Sequence, residues 1–212
     1  MSEIVPRKYP GYLFVLEGID GAGKTTICDR VVSYLLQERL DVIRLREPTN
    51  ESPWGQEIRI RSPKGELTSY EELDLFIRDR DWHVKNRIMP SLKAGRIVLM
   101  DRYFFATGAY QSTSTGIHWS EILRRNREEI HAPEPDIIFI LDIPAEIGLA
   151  RVMNDRGEPN LQFERLERLV RVREAYLEMV ENDSGRYIVV DATKPIENVE
   201  AEIVKAILES IL

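Results

Sequence analysis

The sequence predicts a doubly wound α/β domain, a three-layer sandwich with a mostly or fully parallel five-stranded sheet covered by helices on both faces. Three observations carry this. Five short apolar runs recur along the chain, separated by long amphipathic stretches. The runs are apolar on both faces, as strands buried between two helical layers must be. The first run leads into a glycine-rich turn followed at once by a helical pattern.

The strands are expected at Tyr12–Glu17 (YLFVLE), Val42–Leu45 (VIRL), Ile97–Met100 (IVLM), Ile137–Leu141 (IIFIL) and Tyr187–Val190 (YIVV). Between them, Ile27, Val31, Tyr34 and Leu35 form one helical stripe. Leu73, Ile77, Val84 and Ile88 form a second, behind a capping box expected at Ser69 and Glu72. Leu166, Leu169, Val170, Tyr176, Leu177 and Val180 form a third; Val199, Ile203, Ile207 and Ile211 close the chain. With no internal repeat or splitting linker, the 212 residues are expected to form a single domain. Within it, 1–11 is expected as a flexible N-terminus and 151–162 (RVMNDRGEPNLQ) as a polar lid.

The formal charge of −7 argues against binding long nucleic acid over the whole surface, so any nucleotide site must concentrate its positive charge locally. The single cysteine, Cys28, excludes an internal disulfide and is expected half-buried on the first helix. MSEIVPRKYP lacks the apolar run of a signal peptide, and no stretch reaches the length of a membrane span. The expected location is cytoplasmic.

In a doubly wound sheet the chemistry collects at the carboxyl ends of the strands. The first of these ends reads Glu17-Gly18-Ile19-Asp20-Gly21-Ala22-Gly23-Lys24-Thr25-Thr26. Its spacing, Gly-x4-Gly-Lys-Thr between a strand and a helix, is that of a P-loop. The glycines let backbone N–H groups from 18 to 26 turn onto phosphate oxygens. Lys24 reaches the β- and γ-phosphates, and the Thr25 hydroxyl can hold Mg²⁺. Asp101, beyond the third run, is placed for the same metal shell, or alternatively as a helix N-cap. No Asn-Lys-x-Asp segment of a GTPase is present. Arg46, Arg59, Arg80, Arg102, Arg151 and Arg156 cluster around the predicted site, as the charge of two facing phosphate groups would require. His83, His118 and His131 show no metal-ligand spacing, and Trp54, Trp82 and Trp119 read as packing residues.

Five segments carry a more specific resemblance: Phe14–Thr26, Arg46-Glu47-Pro48, Leu75–Arg80 (LFIRDR), Asp101–Gln111 (DRYFFATGAYQ) and the lid region from Gly148-Leu149-Ala150-Arg151. In this order the chain resembles the thymidylate kinases, P-loop nucleoside monophosphate kinases, from about residue 12 onward. The resemblance implies ATP and dTMP as substrates, Mg²⁺ with the ATP, and a homodimer formed through helices. It assigns Phe76 to stacking on thymine and Arg80 to a base carbonyl, and their spacing of one turn puts both on one helix face. Phe76 also reads as a core residue beside Leu73 and Ile77. Arg46, Arg59 and Arg102, with Glu47 and Pro48 between, would hold the acceptor monophosphate. Asp20 would bond the 3′-hydroxyl, while Thr107, Tyr110 and Gln111 would line the sugar and base. Gly21 stands where some members carry a P-loop arginine, so Arg156 of the lid is the expected catalytic cation, with Lys24 and Arg102, and Arg151 lies over adenine. Where the family has Gly-Gly, this chain has Thr49-Asn50-Glu51. Two other readings stand beside dTMP phosphorylation. One is a kinase for another nucleoside monophosphate or for a nucleoside, with Glu17 as base. The other is a non-catalytic ATP-binding sensor.

Overall fold

Residues 8–156 and 162–211 are described by the computed structural model, without the side chains of 154–156 and 162–164. Five parallel strands form one sheet in the order β2-β3-β1-β4-β5: β1 Tyr12–Glu17, β2 Val42–Arg46, β3 Ile97–Asp101, β4 Ile137–Asp142 and β5 Tyr187–Asp191. All of β3 and five consecutive residues of β1 and of β4 are buried. Successive side chains alternate faces, so both faces of the sheet are covered. Strands β2, β3, β4 and β5 each run one residue past their expected ends, which makes Arg46, Asp101, Asp142 and Asp191 the last residues of strands rather than the first of loops. Winding reverses about β1, and the crevice at the carboxyl ends of β1, β3 and β4 lies where such folds bind ligands.

Helix α1 (Lys24–Gln37) buries Ile27, Val31 and Leu35 as its stripe predicts and packs against α9 (Ile196–Ile211). Cys28, expected half-buried, is fully enclosed, with α1 packed against β1, β2 and β3. Burial pushes its thiol up to about 12, so it stays protonated and inert. After β2 come α2 (Pro53–Arg61) and α3 (Ser69–His83). The capping box of α3 lies one residue earlier than expected, at Thr68 and Glu71. Both Thr68 and Ser69 have a Glu three residues on. The tie is broken by Glu72, whose carboxylate instead accepts from Ser62 Oγ and from Gln111 Nε2. Helix α3 continues through a π turn, Val84–Ile88, into α4 (Met89–Lys93). Pro90 has no N–H and its ring crowds the carbonyl four residues back, which the wider turn accommodates. Helices α5 (Phe104–Thr115), α6 (Trp119–Glu128), α7 (Ala145–Arg156) and α8 (Gln162–Asn182) complete the chain, with α5 packed against α3, α6 and α8.

Of the N-terminal stretch 1–11, residues 1–7 lie outside the described residues. Gly11 donates to Leu92 O at 2.9 Å, and a Cβ there would stand 2.4 Å from Arg96 O. Residues 157–161 of the expected lid also lie outside the description. No helix among the described residues is long and apolar enough to cross a membrane.

Candidate active site

The P-loop turns where the sequence places it, and two glycines are dictated by contact. Gly18, at φ 137°, would put a Cβ 2.5 Å from Leu141 O of β4. Gly21, at φ 82°, would put one 2.2 Å from Gly148 O of α7. Ile19 and Ala22 are buried and anchor the loop to the core. Lys24 is buried, and its Nζ donates to Gly18 O (2.9 Å) and Ile19 O (2.7 Å). Burial, with Arg102 adding to it, lowers the ammonium to about 7. Thr25 and Thr26 are exposed on the first turn of α1.

Thr25 Oγ1 donates to Asp101 Oδ2 at 2.7 Å, which brings the two expected metal-shell residues together. The N-cap of α5 is Tyr103, so Asp101 is the end of a strand and not a cap. Two hard oxygen donors beside a phosphate loop suit Mg²⁺. Among the described residues no cluster of three or more His, Cys, Asp or Glu could hold a metal. A cation here would therefore complete its shell from phosphate and water, as Mg²⁺ does. Arg44, which the sequence reading passed over, stands behind Asp101, with Nη2 3.3 Å from Oδ2 and Nη1 2.7 Å from Asp29.

Opposite the P-loop lies a cavity of about 690 Å³. Its wall includes Asp20, Glu47, Pro48, Phe76 and Arg80, then Arg102, Thr107, Tyr110 and Gln111. Phe76 is only half-buried and faces this space, whereas its neighbours Leu73 and Ile77 pack with Ile122 in a small apolar cluster. Arg102 pairs with Asp20 Oδ1 and lies 4.9 Å over the Tyr110 ring, and the Tyr110 hydroxyl accepts from Asp20 N at 2.9 Å. Partial desolvation works against the Asp20 carboxylate, whose side chain is half-exposed, but Arg102 and then Lys24 hold it below its usual range.

Arg80, one of the six arginines counted against phosphate charge and the one assigned to a base carbonyl, is enclosed. It is 1% exposed. Glu47 Oε2 accepts from Nε at 2.8 Å and from Nη2 at 2.7 Å. Asn126 Oδ1 accepts from Nη1 (2.7 Å) and Thr107 Oγ1 from Nη2 (2.9 Å). One Nη1 hydrogen is left over. The charge is thus neutralised and the fork fixed, which suits a directed hydrogen bond to a base better than neutralising an anion. His83 is buried 3.0 Å from Glu47 Oε1, and Asn126 Nδ2 donates to Ile122 O. His83 was noted in the sequence only for lacking metal-ligand spacing and Asn126 not at all; for Asn126, a polar residue on the otherwise apolar face of Trp119, Ile122 and Leu123 was the available signal. Thr49, the departure from Gly-Gly, donates through N and Oγ1 to the buried Asp79, which also accepts from Ser52.

Arg46 and Arg59 are not part of the cavity wall. Arg46 is half-exposed with Nε 3.9 Å from Asp101, while Arg59 donates to Pro48 O and Thr49 O. Burial, and then the charge of Arg46, hold the Arg59 guanidinium below its usual value. The wall instead includes Arg165 and Arg168 of α8, with Arg168 5.8 Å from the centre of the Tyr110 ring. Arg151 donates to Gly21 O (3.2 Å) and Ala192 O (3.5 Å), bridging the P-loop and the loop after β5. The side chain of Arg156 lies outside the described residues. Glu17 is buried and accepts three hydrogen bonds, so it is not placed as a free base.

The Gly21–Gly148 contact yields a prediction. A Cβ on Gly148 would stand 2.6 Å from Asp20 O, so Gly148→Ala must push α7 off the P-loop. Overpacking of this kind costs about 1–3 kcal/mol. ATP affinity, followed by calorimetry, is expected to fall about 10-fold or more, since small displacements at a phosphate cradle are costly. Unchanged affinity would show that the two segments move independently.

A strand, phosphate loop and helix, with the loop lysine, an Asp–Thr pair and an arginine-bearing cavity reached through the loop's Asp20, define a P-loop kinase of small phosphorylated substrates. Residues 16–203 match the profile of the Thymidylate kinase family. The chain is 42% identical to a thymidylate kinase of Desulfotalea psychrophila over 92% of its length and 93% of the relative's. It is 42% identical to a probable thymidylate kinase of Archaeoglobus fulgidus (94% and 96% covered), and 38% to a thymidylate kinase of Xanthomonas euvesicatoria (98% and 89%). The chain belongs to the thymidylate kinase family.

Proposed function

We propose that this chain transfers the γ-phosphoryl group of ATP to dTMP, giving dTDP and ADP. The observation that carries the reading is the cavity facing the P-loop, with Phe76 half-exposed in its wall and Arg80 held rigid beside Thr107. The backbone of residues 18–26 and Lys24 bind the donor phosphates, and Arg151 lies at the adenine. Thr25 and Asp101 would hold Mg²⁺, which when bound supplies charge neutralisation and orientation at the β- and γ-phosphates.

Phe76 stacks on thymine, and Arg80 and Thr107 read its edge. Tyr110 and Gln111 crowd the sugar, and Asp20 takes the 3′-hydroxyl. Arg102, with Arg46 and Arg59 at the edge and Glu47-Pro48 shaping the turn, meets the acceptor monophosphate. Its pairing with Asp20 holds each group near its task before substrate arrives. An oxygen of the acceptor phosphate attacks the γ-phosphorus in line. A new P–O bond forms, the bond to the β-bridging oxygen breaks, and ADP leaves. The attacking oxygen is already anionic, so no general base is required, in keeping with the enclosed position of Glu17. Catalysis is positioning and charge neutralisation by Lys24, Arg102 and the lid cation Arg156. The homodimer implied by the resemblance belongs to the same reading, and sedimentation over a concentration series tests it.

ADP release measured across the nucleoside monophosphates tests the acceptor. dTMP is expected to exceed dCMP, UMP and AMP in kcat/KM. Equal turnover of any of these would reject the thymidine assignment. ATP binding without acceptor-dependent turnover would favour the sensor.

A further inference from the structure

Glu17 closes β1, is wholly enclosed, and has no part in the steps above. Its Oε1 accepts from Tyr103 N at 2.7 Å and from Ala106 N at 3.1 Å, and Oε2 accepts from the Tyr176 hydroxyl at 2.8 Å. Helix α5 starts after Tyr103 and has no side-chain cap at that N-cap position. A helix start leaves N–H groups short of partners inside the helix, and Ala106 N, which reaches Tyr103 O at 3.1 Å, shares its hydrogen with Glu17. Here a carboxylate from another strand supplies what a local Ser or Asp otherwise would.

The residue before this cap is Arg102, at φ 71°. A side-chain-bearing residue in that region costs about 1–2 kcal/mol. The Arg102 N–H donates to Leu16 O at 3.0 Å, and the next N–H, of Tyr103, goes to Glu17 Oε1. The amides on either side of the strained Cα are therefore both fastened to the end of β1. With the backbone so held, the guanidinium reaches Asp20 in the P-loop. We infer that Glu17 is a positioning residue: it caps α5 from the adjacent strand and so holds Arg102 in the conformation that faces the acceptor cavity. Tyr176 registers α8 on the same carboxylate. The inference rests on the acceptor role proposed for Arg102. Burial, against the pull of Arg102 and the Tyr176 hydroxyl, keeps the Glu17 carboxyl up at about 7. Its oxygen's reach, not a fixed charge, is what the cap requires.

Reach and charge can be separated. Glu17→Gln keeps an oxygen at the same distance and drops the charge. Glu17→Asp keeps the carboxyl group and withdraws it by a methylene. In steady-state assays, Glu17→Asp is expected to raise KM for dTMP about 10-fold, and Glu17→Gln less than about 3-fold. The Kd for ATP should stay within about twofold in both. In an Arg102→Ala background, Glu17→Asp should add less than about 3-fold, because the effect it removes is already gone. A Gln variant worse than Asp, losses that multiply with Arg102→Ala, or equal damage to ATP and dTMP binding would each overturn the inference. If Arg102→Ala leaves KM for dTMP unchanged, the acceptor role itself fails. If Arg102→Ala raises it and Glu17→Asp does not, only the positioning role fails.

Discussion

Lys24→Met is expected to lower kcat about 10²–10³-fold, the usual cost of removing one preorganised donor from a developing negative charge. The change keeps the length of the side chain and its burial. It discards two hydrogen bonds to Gly18 O and Ile19 O but also removes an ammonium from a site where burial already lowers it to about 7. These effects oppose each other, so thermal stability should change little, by about 1 kcal/mol. The same residue predicts a proton linkage. Bound phosphates favour the charged amine and raise its pKa. Below pH 7 Lys24 is already charged, and binding ATP takes up no proton through it. As pH rises above 7, uptake should approach one proton per ATP, and affinity should fall. Calorimetry in buffers of different ionisation enthalpy reads this directly. Uptake that persists in Lys24→Met would assign the proton elsewhere.

Glu47→Ala is expected to be the most destabilising single change at the site. Arg80 is enclosed, and Glu47 is the only carboxylate paired with it among the described residues. Breaking a buried pair by removing one partner costs about 3–5 kcal/mol, because the remaining charge stays in a dry environment. His83 and Arg80 would both lose an acceptor. The urea midpoint should fall accordingly, and the variant that does fold should bind dTMP more weakly, since the fork of Arg80 is no longer set. A loss below about 1 kcal/mol would mean that water or a shifted side chain replaces Glu47. Arg80 would then not be rigid.

Much of this architecture was legible before any coordinates. A parallel sheet covered on both faces writes itself as uninterrupted apolar runs, and the expected strands agree with the observed ones to within a residue at their carboxyl ends. The P-loop was legible because its residues are neighbours in sequence and its glycines answer local backbone demands. The Phe76–Arg80 pair was legible because one helical turn fixes its geometry. The capping box slipped by a residue because Thr68 and Ser69 are locally equivalent, and the choice fell to Glu72 meeting Ser62 and Gln111.

The sequence alone determined the strands, the phosphate loop and the family, since each is carried by residue type at short spacing. Only the tertiary structure decided that Arg80 is enclosed by Glu47 and Asn126, that Arg46 and Arg59 stand off the cavity wall, and that Glu17 caps a helix it does not belong to. These are contacts between residues from about ten to nearly ninety positions apart. Which distant polar groups meet in a dry interior depends on how strands are ordered and helices packed, and a buried group takes whichever partner that packing brings within reach.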